Sequence, residues 1–353
     1  MAMNAQDLET PALLVDLDAM ESNLNRMAVF FKNRRVKLRP HFKNHKVPLL
    51  AWKQLEAGAI GITCANLREA EALITHGVRS ILIASEIAGE SKIQQFADLS
   101  RHADLMVATD NESVIRDIGR VARNRKTELS VLVDIEVGLG RCGVEPGEPA
   151  LKLAKLAKEE GLRFRGLMGY EGHLQALQPS PEKDDLVRIV DKSLVDSRRL
   201  IEEHGIGVEI VSTGGTGTYE IGGNYEGITE IQAGSYLLMD NMYVLRGSTY
   251  LRTLTVLATV ISRPQPMRVV LDCGVKRLSA ERGLSTVKSV EGVEVKALHA
   301  EHCLLEITQP NVHLEVGQKI ELWVHYSDAT VSLHDCMFGV RNGRVEDTFK
   351  IQR

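Results

Sequence analysis

The chain is poor in cysteine and spreads it thinly: Cys64, Cys142, Cys273, Cys303 and Cys336 are odd in number and far apart. That fits a reducing cytoplasm better than a disulfide framework. Long apolar runs are absent. The longest, such as SILIAS at 80–85, have strand length, so no membrane span is expected. A long basic run is also missing, and with a net charge of −4 a nucleic-acid surface is not expected. The first ten residues, MAMNAQDLET, are polar and include Asp7 and Glu9, unlike a secretory signal or a transit peptide. No GxGxxG opens a helix after the first strand-like run, which argues against a dinucleotide-binding open sheet. There are no internal repeats and no low-complexity linker.

What is present is ordinary globular composition, 44% hydrophobic and 25% charged, in a chain of 353 residues. That length suits one barrel of about 250 residues with a smaller partner. From Val36 to about Tyr236, eight β-rich runs alternate with amphipathic segments: VKLRPHFK, GITCAN, SILIAS, DLMVATD, LSVLVDIEVG, FRGLMGYEG, VEIVSTGG and ITEIQAGSY. Eight strands with helices between them is the count of an α/β fold of the (β/α)8 TIM-barrel type. After about Arg252, strand-like runs follow one another without a long helix, which reads as a C-terminal β-domain. The expected division is 13–250 for the barrel and 251–353, with 1–12, for the β-domain. The run TPALLVDL is open to pairing with either.

Chemistry in a barrel sits at the C-terminal ends of the strands. RPHFKNHK, residues 39–46, ends the first strand and holds Lys43 between His41 and His45. A desolvated lysine near other cationic groups becomes a nucleophile for an aldehyde. Otherwise it is a solvated surface lysine. STGGTGTY, 212–219, ends strand seven with glycines and hydroxyls around Thr213, Gly215, Thr216 and Gly217. QAGSY, ending strand eight, adds Gly234, Ser235 and Tyr236. Barrels recurrently bind phosphate there, with backbone N–H groups and a following helix N-terminus as donors. Without an anion the same stretch is a glycine-rich turn. VDIEVGLGRCGV offers Arg141, and GYEGHLQ offers Tyr170, His173 and Gln175 as a ring partner and a proton carrier. The candidate catalytic residues are Lys43, His41 and His173. One lysine, a phosphate cradle and room for a ring describe pyridoxal 5′-phosphate.

These stretches, together with ETPALLVDLDAMESNLNRM, EIQAGSY and the tail GRVEDTFKI, resemble the D-threonine aldolase and eukaryotic-type D-serine dehydratase family. These are fold-type III pyridoxal-phosphate enzymes related to alanine racemase. The resemblance runs from about residue 8 to the C-terminus. It implies a barrel, a β-domain, a homodimer and a D-amino acid substrate. It also implies that Lys43 is the Schiff-base lysine, that Arg141 lies near the cofactor's phenolic oxygen and that Tyr170 lies near its pyridine nitrogen. The two glycine-containing loops correspond to the phosphate-binding loops.

One departure concerns the metal. The family carries a late H-x-C or H-x-D pair for a divalent ion, Mn2+, Mg2+ or Zn2+, where this chain reads VHYSDATVSLHDCMF. One register places Asp328 at the second ligand and Tyr326 at the histidine, with His325 adjacent. The rival uses His334 and Cys336 as an i, i+2 pair on one strand face. The expected reaction is a retro-aldol cleavage of a D-3-hydroxy amino acid to glycine and an aldehyde. The alternatives are dehydration of D-serine or 3-hydroxyaspartate, metal-independent racemisation, and a non-catalytic cofactor carrier that the full β-domain counts against.

Overall fold

The structure, a computed structural model, describes residues 3–352. It divides into two compact units: Arg26–Lys43 with Pro48–Gly234, and Met1–Asn25 with Asn44–Val47 and Ser235–Arg353. Met1, Ala2 and Arg353, assigned from sequence to the β-domain, lie outside the described residues. Ahead of the barrel come strand β1 (Ala12–Asp16) and helix α1 (Leu17–Phe31).

The first unit is built on eight parallel strands: β2 (Lys37–Leu38), β3 (Ile62–Cys64), β4 (Ser80–Ile83), β5 (Asp104–Thr109), β6 (Ser130–Asp134), β7 (Arg163–Met168), β8 (Ile210–Thr213) and β9 (Glu230–Ile231). They follow the order β2-β9-β8-β7-β6-β5-β4-β3. The two ends of that order meet through a parallel bridge between His41 and Thr63 and through Thr63 N–H donating to Pro40 O at 2.9 Å. All eight strand-like runs of the sequence are therefore barrel strands.

The connecting helices include α2 (Pro48–Glu56), α3 (Leu67–Thr75), α4 (Glu90–Leu99), α5 (Glu112–Arg125), α6 (Glu148–Glu159) and α7 (Pro181–Glu203). Their ends carry the expected chemistry. The Asn66 side chain caps α3 by accepting from Glu69 N, and Ser180 caps α7 just before Pro181. Gly161, at φ +77°, follows the last turn of α6, where a left-handed residue releases the chain. Leu82, Met106, Ala108, Leu132, Met168 and Ile210, one or two from each of five consecutive strands, pack into one inner layer. Burying each large side chain there contributes about 1.5–3 kcal/mol.

The first strand is shorter than its sequence suggests. RRVKLR looks like a solvated basic face, yet Arg39 is buried and pairs with buried Glu230 of β9 at 3.0 Å. Pro40 then removes a ladder donor, and Phe42–Asn44 curl into a 3-10 turn. Lys43 thus rides on a turn beyond the strand and not on the strand itself.

In the second unit the sheet order is β13-β14-β11-β10-β1-β16-β17, with β15 on β10 and β12 on β15. The strands are β10 (Leu254–Gln265), β11 (Arg268–Leu271), β12 (Thr286–Val287), β13 (Val293–Leu298), β14 (Cys303–Ile307), β15 (Lys319–Trp323), β16 (Cys336–Arg341) and β17 (Arg344–Lys350). The run TPALLVDL belongs here: β1 pairs antiparallel with β10 and parallel with β16. Leu8, Ala12, Leu14 and Leu257 form an apolar cluster beside it. No helix among the described residues is long and apolar enough to cross a membrane.

Candidate active site

Lys43 is positioned by its neighbours. The Phe42 ring is fully buried, and Asn44 is buried with its amide donating to Ser327 Oγ at 2.8 Å and Asp328 Oδ1 at 2.7 Å. Both flanking side chains are thus anchored, and the Lys43 side chain between them is half-buried. The Lys43 N–H donates to His41 Nδ1 at 3.3 Å, so a neutral His41 ring carries its hydrogen on Nε2.

Tyr170 follows β7 and is half-buried. The Lys43 ammonium lies 5.9 Å from the centre of its ring, and the Arg141 guanidinium 5.5 Å from it. Two residues from separate motifs therefore meet around the aromatic ring of a third. Arg141 comes from the loop after β6, and Glu136 shapes that loop by accepting N–H bonds from Gly138, Gly140 and Arg141. Burial acts to raise the Glu136 pKa, but those backbone bonds outweigh it and hold the carboxylate below its usual range. His173 is exposed, and its Nε2 lies 3.2 Å from where a Cβ on Gly138 would sit. It stands beside the same loop.

The glycine-rich turn after β8 is held from within. Buried Glu171 accepts from Thr218 Oγ1, Gln175 Nε2 (3.0 Å) and Gly214 N (3.2 Å), with Thr213 Oγ1 at 3.4 Å. Gly217 N donates to Gln175 Oε1 at 2.8 Å, and Gly215 N to Thr218 Oγ1 at 3.0 Å. The glycine N–H groups read from sequence as anion donors are thus engaged by barrel side chains. The helix that follows, α8 (Tyr219–Gly222), has only four residues, so its dipole offers an anion little. The glycines answer instead to close approach. A Cβ on Gly215 would sit 2.5 Å from Gln175 Oε1, and one on Gly234 2.6 Å from His41 O. Thr213 and Thr216 are buried, Ser235 is half-buried, and fully buried Tyr236 has its ring 6.1 Å from that of Tyr250. Gly215→Val is expected to raise the dissociation constant for pyridoxal phosphate at least about tenfold, and its clash with buried Gln175 should also lower the thermal midpoint of the cofactor-free chain. Titration and calorimetry check this, and an unchanged constant would remove the turn from the cofactor site.

Residues 15–242 match the alanine racemase N-terminal domain family, and residues 253–340 match a serine dehydratase domain. D-threonine aldolase from an Arthrobacter species is 34% identical over 98% of this chain and 92% of its own length. The chain belongs to the D-threonine aldolase family. The 3-hydroxy-D-aspartate aldolase of Paracoccus denitrificans is 32% identical over 99% of this chain and 93% of its own. The crystal structure of D-threonine aldolase from Filomicrobium marinum superimposes with a TM-score of 0.96 at 32% identity, covering 100% of this chain and 97% of that one.

At the late stretch, two of the candidate metal ligands, Asp328 and His334, have other partners in the structure. Asp328 lies in the first turn of the short helix α10 (Ser327–Val331), after α9 (Asn241–Leu245), and accepts from Asn44. The His325 ring lies against Gly283, and its buried Nδ1 has no hydrogen-bond partner. Tyr326 caps α10, and burial, with Asp328 next, pushes its hydroxyl up to about 12. His334 is buried, with Nε2 2.7 Å from Arg277 O, and it precedes β16, which opens at Cys336. The rival pair is therefore not on one strand face, because the turn after α10 separates His334 from the strand. Among the described residues, three or more potential metal-ligand atoms of the His, Cys, Asp and Glu type gather at Glu86, Asp110 and Cys142, and neither late pair belongs to such a group.

Sequence reading passed over Glu171, Asn44 and Glu136. The clue to Glu171 lay in GYEGHLQ, where one carboxylate sits between glycines directly after an apolar strand. Asn44 and Glu136 carry no such sign, since their partners are distant or are backbone N–H groups.

Proposed function

We propose that the chain is a pyridoxal-phosphate-dependent lyase that cleaves D-3-hydroxy amino acids to glycine and an aldehyde. The observation that carries this is the meeting of Lys43 and Arg141 around the Tyr170 ring at the barrel mouth. The residues fit the cofactor: an amine for its aldehyde, a guanidinium for its ring oxygen, an aromatic neighbour, and a tight turn at the end of β8. When bound, the cofactor supplies an electron sink for the charge left at the substrate α-carbon.

The chain's own groups do the rest. Lys43 would hold the cofactor through its Nζ, and the same amine can carry a proton. Glu136 keeps the Arg141 loop in shape, so that a cation is already in place before substrate arrives. His173, exposed beside Gly138, takes the proton from the substrate β-hydroxyl, which lets the Cα–Cβ bond break. The substrate is a small D-amino acid, and a homodimer is the expected assembly. The five free thiols fit a reducing, cytoplasmic setting.

Purified enzyme given D-threonine is expected to release glycine and acetaldehyde in equal amounts, and parallel runs with added Mn2+ and with a chelator read what an ion contributes. D-serine and D-alanine serve as controls for dehydration and racemisation. A keto acid from D-serine, or racemised D-alanine, at higher kcat/KM than D-threonine cleavage would overturn the reading.

A further inference from the structure

A second constellation lies at the C-terminal ends of β4, β5 and β6. Glu86 follows β4, Asp110 follows β5 directly, and Cys142 lies in the loop after β6. Ligand atoms of these three half-buried residues lie within 4.8 Å of one another. Asp134, the last residue of β6, is only 4% exposed and points into the group. Its carboxyl meets the Glu86 carboxyl. On Glu86, Oε1 is closed off from solvent and has no hydrogen-bond partner. Asp110 gives one oxygen to Gly143 N at 3.0 Å. Arg141 is the cation facing Asp134 and Cys142.

Three carboxyls and a thiol gather against one arginine in a partly dry place, where a carboxylate without a counter-charge is costly and is relieved by a proton or a cation. Two carboxylates and a sulfur are the donor types of a borderline divalent ion, whereas calcium and magnesium favour oxygen alone. We propose that Glu86, Asp110 and Cys142 bind one divalent transition-metal ion of the zinc class, with Asp134 backing Glu86. The thiol proton is released to solvent on binding, and no redox change occurs. The bound ion ties the ends of two strands to the loop that carries Arg141. It is distinct from any ion at the late motif.

The test reads metal binding and not turnover, so it stands or falls independently of the lyase reading. Holoenzyme is stripped with a chelator, dialysed and titrated with Co2+. One ion per chain is expected, with a thiolate-to-cobalt charge-transfer band in the near ultraviolet that Zn2+ abolishes by displacement. Cys142→Ser and Cys142→Ala should each remove the band, with circular dichroism confirming the fold. Glu86→Gln and Asp110→Asn should each weaken binding at least about tenfold. Cys336→Ser should leave the band intact. The proposal is overturned if stoichiometric binding is absent, as it would be were the carboxyls to hold only a proton. It is equally overturned by a band that survives loss of the Cys142 sulfur or disappears with that of Cys336.

Discussion

Lys43→Ala is expected to lower D-threonine cleavage at least about 1,000-fold and to abolish the borohydride-sensitive absorbance band at the edge of the visible range. Two losses combine. The amine that attaches the cofactor disappears, and so does a proton-carrying group next to the Tyr170 ring. The effect should be chemical and not structural. Phe42 and Asn44, the buried residues that pin the turn, are untouched, and Lys43 itself is half-buried. Far-ultraviolet circular dichroism and the thermal midpoint should therefore stay near wild type. Lys43→Arg is the sharper control. It keeps the positive charge near Tyr170 but cannot hold an aldehyde as the primary amine does, so it should be as inactive as the alanine variant. A mutant that retains a reducible band would remove Lys43 from its assigned role, whatever its turnover.

The barrel was legible from the sequence because its signal is repetitive. Eight β-rich runs separated by amphipathic segments leave few alternatives, and the absence of a dinucleotide fingerprint disposes of the nearest. That Lys43, Arg141 and Tyr170 would come together was legible for a related reason, since each follows a strand whose C-terminal end must face the barrel mouth. The metal pair was not. Its geometry depended on whether residues 325–336 form a strand, and the short helix α10 and the turn after it occupy that stretch. A five-residue helix lacks the length for a periodic pattern. The glycine turn was legible as a turn but not in its mechanism. Free N–H groups follow from glycine content alone, whereas the donors here are taken up by Glu171, Gln175 and Thr218, residues tens of positions away or inconspicuous. Long-range side-chain partners are what a single sequence withholds. The Glu171 carboxylate under that turn also has an acidic neighbour on α7, Asp191.

Asp191→Asn is expected to make the protein more stable at alkaline pH and nearly unchanged at acid pH. Asp191 is 1% exposed, its Oδ2 is buried without a partner, and Glu171 is the charged group acting on it. Burial first, and then the Glu171 charge, push its carboxyl up to about 8. Burial raises Glu171 as well, against the hydrogen bonds it accepts from Thr218, Gly214 and Thr213. In the unfolded chain an aspartate titrates near 4. The folded state therefore binds a proton between about pH 4 and 8 that the unfolded state does not, and stability falls as pH rises through that window, by at most about 1.4 kcal/mol per unit. Asparagine is neutral throughout and nearly isosteric, so it removes this contribution and leaves that of Glu171. The wild-type thermal midpoint should drop between pH 5 and 8.5, and the variant's should drop less. At pH 8.5 the variant should melt at least about 3 °C higher, while at pH 4.5 the two should agree within about 1 °C. Parallel midpoint-against-pH curves for the two proteins would mean that Asp191 stays ionised in the fold. The buried acid pair would then not hold a proton beneath the glycine turn.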